Sequence, residues 1–224
     1  MYEAASSRRP PVFWSPLYLR MPSLLDHAKR IQALAQIGLT YSPNPYDLER
    51  YEELREIALQ LMHEATGHPL EKLAAHYGDK KEYVTPKVDV RGVVFEGEKI
   101  LLVKESADGL WSLPGGWADV GYTPKEVVAK EIKEETGLTV TPTRLLAVLD
   151  KRVHAHPPAL EYTYKLFIEC VNTSGTLTPS HDILDCGFFD EHHLPPLSLE
   201  RVTPDQINLM YAHKRHPELA VTLD

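Results

Sequence analysis

Three glutamates crowd one short stretch of this chain: Glu131, Glu134 and Glu135, inside LPGGWADVGYTPKEVVAKEIKEETGL at residues 113–138. Local signals predict a helix beneath them. Thr123 is a good N-cap, Pro124 fits the first helical position, Glu126 completes a capping box, and Gly137 suits the stop. A helix over 124–136 holds the three carboxylates within an arc of about 100°, bordered by Val128 and Ile132. A solvated acidic face explains this pattern poorly. Like charges one turn apart repel, and only Lys130 sits at helical spacing from Glu134. Carboxylate oxygens clustered this tightly suit a hard divalent cation such as Mg²⁺. The glycines before the helix, Gly115, Gly116 and Gly121, read as a loop whose backbone can approach a ligand closely.

The same stretch resembles the Nudix box, in which a glycine, five residues, a glutamate and seven residues lead to Arg-Glu-aliphatic-any-Glu-Glu-any-Gly-aliphatic. Gly116 matches the first glycine, and Glu131, Ile132, Glu134, Glu135, Gly137 and Leu138 match the closing run at the required spacing. Two positions depart: Tyr122 stands at the first glutamate and Lys130 at the arginine. In the family those two positions chiefly support the loop and helix, so the metal set stays whole, although lysine cannot copy a bidentate guanidinium. The resemblance implies that Glu131, Glu134 and Glu135, with the Gly116 carbonyl, hold Mg²⁺ or Mn²⁺. It also implies catalytic residues drawn from Glu134, Glu135 and a late-loop acid, here Asp182 or Asp185.

The likeness extends from about residue 23 onward, through TPKVDVRGVVF, LDKRVHAHPP and GFFDEHHLPPLS. It is similar to Nudix hydrolases that carry a helical N-terminal domain and act on nucleoside diphosphates linked to a second moiety. That resemblance implies an α/β/α Nudix sandwich, a homodimer joined through the N-terminal helices, and hydrolysis of the diphosphate bond. CDP-choline is the first expected substrate, ADP-ribose the next and a 5′-phosphorylated RNA end the third. A nucleotide-sensing Nudix-like module that binds without cleaving is the alternative, supported only by Tyr122 and Lys130.

The rest of the chain must position these groups. Residues 1–22, with Arg8, Arg9 and several prolines, are expected to form a disordered extension, and Met21 is a candidate start. Residues 23–85 read as a helical domain ending in a linker from about Asp79 to Pro86. Its first helix opens at Ser23 with Asp26, carries the apolar stripe Leu24, Ala28, Ile31, Leu34 and Ala35, and ends at Gly38. The second runs from about Asp47 to Thr66 with Leu48, Tyr51, Leu54, Ile57, Ala58, Leu61 and Ala65 on one face; a short third stops at Gly78. Three such helices make a marginal core alone, so their stripes should pack on the rest of the chain or on a second subunit. Over 86–224 the period changes. Val88 to Phe95 and Ile100 to Val103 form a hairpin around Glu96-Gly97, and Leu145–Leu149, Tyr162–Val171 and Gly187–Phe189 are further strands. Thr203, Pro204 and Gln206 open a last helix. The class is α+β.

Lys plus Arg number 24 against 32 Asp plus Glu, a net charge of −8. That argues against a DNA-binding surface and mildly against long RNA. Two cysteines make neither a disulfide framework nor a zinc site, and no run is apolar enough to span a bilayer, so a cytoplasmic protein without a membrane partner is expected. A diphosphate still needs cations, and Arg91, Lys104 and Arg152 are the candidates. His154, which shares a face with His156 if that stretch is extended, is a further substrate contact. Trp117, with Tyr122, Tyr162 and Tyr164, offers aromatic surface to a base or a quaternary ammonium. His192 and His193 read as surface loop and Cys170 as strand core.

Overall fold

The computed structural model describes residues 22–78 and 83–224. The expected extension before residue 22, the candidate start at Met21 and linker residues 79–82 lie outside the described residues. The N-terminal part is helical: α1 (Leu24–Tyr41), α2 (Pro45–Thr66) and α3 (Leu70–Tyr77). Ser23 and Asp26 cap α1 reciprocally, as their spacing predicts. The helix does not stop at Gly38. A Cβ there would lie 2.5 Å from the Tyr51 ring, so the glycine lets α1 and α2 approach closely. The stripe assigned to α1 holds at Ala28 and Ala35, which are buried, and is corrected elsewhere. Leu24 and Leu34 are exposed, whereas Lys29, Gln32 and Gln36 are buried. On α2 only Ala58 and Met62 are buried, and Leu54 and Ile57 face outward. The small core of Leu25, Ala28, Met62 and Leu73 is completed by Leu160 from the second part of the chain.

That second part is an α/β/α sandwich. Strands β1 (Lys87–Glu96) and β2 (Lys99–Glu105) form the predicted hairpin, with Gly97 and Glu98 as the two-residue turn. They are followed by β3 (Trp111–Ser112), β4 (Gly115–Trp117), helix α4 (Pro124–Thr136), β5 (Thr139–Asp150), β6 (Thr163–Ser174), β7 (Ile183–Asp190), helix α5 (Pro204–Arg215) and β8 (Thr222–Leu223). The sheet order is β3-β2-β1-β6-β5-β8, with β4 also on β1 and β7 on β2. It is mixed: β1 runs parallel to β6 and β5 to β8, and the other pairs are antiparallel. Alternate side chains of β1 serve the two layers. Val90 and Val94 pack with Val128 and Ile132 of α4, while Val93 packs with Ile207, Met210 and Tyr211 of α5. Both helices carry the expected capping boxes, Thr123 with Glu126 and Thr203 with Gln206.

One correction bears on the site. Gly115 and Gly116 lie in β4 and not in a loop, because a three-residue strand is too short to show a period and is held only by its pairing to β1. Among the described residues no helix is long and apolar enough to cross a membrane.

Candidate active site

Strand β4 brings the glycines beneath the acidic face of α4. Gly115 lies opposite Arg91, Gly116 opposite Val90 and Trp117 opposite Asp89. Gly115 has φ 138°, and a Cβ on it would collide with the Val90 carbonyl oxygen, so this close pairing admits glycine alone. A Cβ on Gly116 would sit 3.3 Å from the Glu131 carboxyl carbon, which places that carboxylate directly against the Gly116 backbone. The Gly115 N–H donates to Glu135 Oε2 at 2.9 Å. Helix α4 buries Val127, Val128, Ile132 and Thr136 against the sheet, leaving Glu131 and Glu135 half-buried at the edge. Glu134 is exposed and accepts a 3.0 Å hydrogen bond from Lys130, the residue at the departing arginine position.

Burial pushes the Glu135 carboxyl up to about 8; Arg91 and the Gly115 N–H oppose the rise, and the charges of Glu105 and Glu131 add to it. Burial also raises Glu131, against Lys130 and Arg91 and together with Glu134 and Asp119. Burial makes both carboxylates costly to ionise, and a bound divalent cation would offset that cost. The donors are all oxygen, which fits Mg²⁺ or Mn²⁺. Among the described residues no three histidine, cysteine or acidic side chains converge on a single cation position, since Glu134 is turned toward Lys130.

The other predicted contacts are dispersed. Arg91 is buried and committed: its Nε donates to Asp89 Oδ1 at 2.9 Å and its Nη1 to the Leu113 carbonyl at 3.0 Å. Lys104 lies on β2 between Trp111 and Asp185. Arg152 occupies the 3₁₀ turn after β5 and pairs with Asp150 at 3.4 Å. His154 Nε2 meets the Asp224 carboxylate at 3.1 Å. Its neighbour His156 is not on a shared extended face. The His156 backbone N–H donates to the His154 carbonyl at 2.8 Å, which turns the chain between them, and His156 is buried between the Leu199 carbonyl and the Gln206 amide. Trp117 is exposed, with Lys87 Nζ 5.3 Å from its ring centroid. Asp182 is exposed beside His181, and its carbonyl accepts from the Ser106 N–H next to Glu105. His192 and His193 are exposed and Cys170 is buried, its thiol pushed up to about 12 by burial.

Sequence reasoning passed over Asp89, Lys165 and Glu105. Asp89 accepts from both Arg91 and Lys165 in the buried face of β1 and β6. The two cations hold its carboxyl below the usual range although burial opposes them. A signal existed, since Asp89 falls between Val88 and Val90 in β1 and Lys165 between Tyr164 and Leu166 in β6. Glu105, at the end of β2, accepts from Ser112 at 2.8 Å, pairs with Arg201 at 3.0 Å and acts on Glu135. Nothing in its local sequence marks that position.

Comparison with known proteins bears on this geometry. Residues 85–212 match the family model described as the NUDIX domain, and residues 22–77 match one described as UDP-X-like, N-terminal oligomerisation domain. The Bacillus subtilis (strain 168) protein named "Putative ADP-ribose pyrophosphatase YjhB" is 45% identical over 200 residues, covering 89% of this chain and 96% of that protein. A crystal structure described as an ADP-ribose pyrophosphatase from Streptococcus suis 89-1591 shares 42% identity with a TM-score of 0.57, over 62% of this chain and 100% of the other. One described as a UDP-X diphosphatase shares 33% identity with a TM-score of 0.56, over 90% of this chain and 98% of the other. A glutamate-bearing helix set over a glycine strand, on an α/β/α frame matched across most of its length, places this chain in the Nudix hydrolase family.

Proposed function

We propose that this protein is a pyrophosphatase that hydrolyses the diphosphate bond of a nucleoside diphosphate linked to a sugar, with ADP-ribose favoured over CDP-choline. The observation that carries the reaction class is the placement of Glu131 against Gly116 and of Glu135 on the Gly115 N–H. The preference for ADP-ribose rests on relatives in Bacillus subtilis and Streptococcus suis that bear that activity in their names.

Glu131, Glu134 and Glu135, with the Gly116 carbonyl, would hold Mg²⁺ or Mn²⁺, and Glu134 must leave Lys130 to join them. When bound, the metal neutralises diphosphate oxygens and acidifies water. The chain's own part is to fix the two half-buried carboxylates on β4, so that little reorganisation remains when substrate arrives. A carboxylate, Glu134 or Asp182, takes a proton as water adds to one phosphorus. The bond from that phosphorus to the bridging oxygen breaks, and the bridging oxygen keeps the electron pair on the departing phosphate. From ADP-ribose the products are AMP and ribose 5-phosphate. The exposed apolar residues Leu34, Leu54 and Ile57 support a homodimer through α1 and α2.

A panel of ADP-ribose, CDP-choline, UDP-sugars and a nucleoside triphosphate, each with Mg²⁺ and Mn²⁺ and resolved by chromatography, tests the reading. ADP-ribose should be cleaved fastest, giving AMP and ribose 5-phosphate. Faster cleavage of another member replaces the substrate, and an intact panel removes the activity.

A further inference from the structure

Glu105, the last residue of β2, carries a carboxylate whose charge reaches Glu135 and whose side chain is only 12% exposed. Such a carboxylate needs a cation. Among the described residues the one paired with it is Arg201, whose Nε lies 3.0 Å from Glu105 Oε1. Arg201 is distant in sequence, in the turn before α5, and the fold fixes it there. Trp111 of β3 donates its N–H to the Pro196 carbonyl and accepts from the Ser198 N–H. The Arg201 N–H donates to the Ser198 carbonyl at 2.8 Å, and its Nη1 donates to Ser198 Oγ at 3.2 Å and Asp108 Oδ2 at 3.3 Å.

From Glu105 a run of hydrogen bonds leads to the glycine strand. Ser112 is fully buried and donates its hydroxyl to Glu105 Oε1 at 2.8 Å. The next carbonyl, that of Leu113, accepts from Arg91 Nη1 at 3.0 Å. The Pro114 carbonyl accepts from the Gly92 N–H, and the Gly115 N–H holds Glu135. Strand β3 is two residues long, so backbone pairing to β2 secures only its Trp111 and Ser112 positions. Two ion pairs do the rest: Arg201–Glu105 acts through Ser112, and Arg91–Asp89 through the Leu113 carbonyl. These pairs are close enough for the Glu105 charge to act on the Arg91 guanidinium. A buried carboxylate stripped of its partner is drawn to another cation, and Arg91 is the one at hand. Asp108 is not stranded in the same way, since it keeps the Ser198 hydroxyl at 2.6 Å and the Leu110 N–H at 3.0 Å.

We propose that Arg201 is a positioning residue for the hydrolysis: by holding Glu105 on Ser112 and away from Arg91, it keeps the Leu113–Gly115 segment, and with it Glu135, in the geometry the reaction uses. The proposal rests on the pyrophosphatase reading above and gives the turn before α5 a part in catalysis from outside the box.

The test uses the full chain with Arg201→Met, Glu105→Gln and both changes together, each fold checked by thermal melting. Glutamine at 105 keeps an acceptor for Ser112 and removes the charge that needs Arg201. At saturating Mg²⁺, Arg201→Met should lower kcat for ADP-ribose about ten-fold with KM within about two-fold, because alignment is lost and not binding. Glu105→Gln should cost less, and adding it to Arg201→Met should restore most of the lost kcat. A merely structural Arg201 predicts the reverse, two losses that multiply. Should Arg201→Met not fold, Arg201→Gln takes its place in the same comparison. An arginine variant within about two-fold of wild type, or a double variant no faster than the arginine variant, overturns the proposal. Should wild type not cleave ADP-ribose, the activity reading fails by itself, and amide hydrogen exchange over residues 111–117 decides the positioning. Exchange about ten-fold faster in the arginine variant and slowed again in the double variant upholds it; unchanged or unrestored exchange overturns it.

Discussion

The Gly115 backbone N–H donates to Glu135 Oε2 at 2.9 Å, so strand β4 and helix α4 meet in one hydrogen bond at the centre of the box. This bond needs an acceptor oxygen but not a charge. Glu135→Gln therefore keeps the tie between strand and helix while removing the carboxylate. Turnover should fall by about a hundred-fold or more, with the melting temperature held or raised, because the neutral amide is the easier group to bury. Activity within a few-fold of wild type in steady-state assays would falsify the assigned role.

Lys130 and Glu134 make a prediction of opposite sign. Their 3.0 Å pair lies on an exposed helix surface and should matter little to stability. On the proposed mechanism it competes for a carboxylate that the metal would need. Lys130→Met should lower the Mg²⁺ concentration for half-maximal activity by a few-fold, without moving the denaturation midpoint. An unchanged or increased Mg²⁺ requirement rejects that competition.

His156 makes folding sensitive to mild acid. Its Nδ1–H donates to the Leu199 carbonyl at 2.6 Å, and its Nε2 accepts from the Gln206 amide at 3.0 Å, an arrangement only the neutral ring can satisfy. Burial lowers its pKa from 6.5 to about 4. The unfolded chain thus takes up a proton that the folded chain refuses between those values. The contribution is complete above about pH 6.5 and is lost as pH falls toward about 4, on the order of 3 kcal/mol in all. Urea midpoints at several pH values should show this slope in wild type and lose it in His156→Gln.

Asp89 and Lys165 differ in what their loss leaves behind. Asp89→Asn strands two buried cations, Arg91 and Lys165, and should destabilise by about 3–5 kcal/mol. Lys165→Met leaves Asp89 paired with Arg91 and should cost less than half as much. Equal losses in chemical denaturation would contradict the shared-carboxylate arrangement.

Local chemistry made the box helix legible before any fold was known. Thr123, Pro124, Glu126 and Gly137 act within a turn of their own positions, and the glutamate spacing needs only 3.6 residues per turn to become a face. The same holds for α5 and for the β1–β2 hairpin, whose caps and turn are contiguous in sequence. Where a signal depended on a distant partner, the reading failed. Gly38 carried the local mark of a helix stop, yet it is a contact with Tyr51 that an α1–α2 crossing requires. Strands β3, β4 and β8 are two or three residues long and exist only through their neighbours.

The sequence by itself determined that Glu131, Glu134 and Glu135 share one face of one helix, because helical spacing alone sets that. Tertiary structure decided which charges are free to act with it. Arg91, chosen from sequence for phosphate, is drawn inward by Asp89, a residue two positions away on the same face of β1. The buried polar face of α1 could not be read from periodicity, since Lys29, Gln32 and Gln36 look solvated until the rest of the fold, including the segment before β6 that receives Lys29, closes over them. Burial is a property of the assembled layers; it is the largest cause of the rise at Glu135 and of the fall at His156, and it encloses the Gln36 side-chain oxygen without a donor.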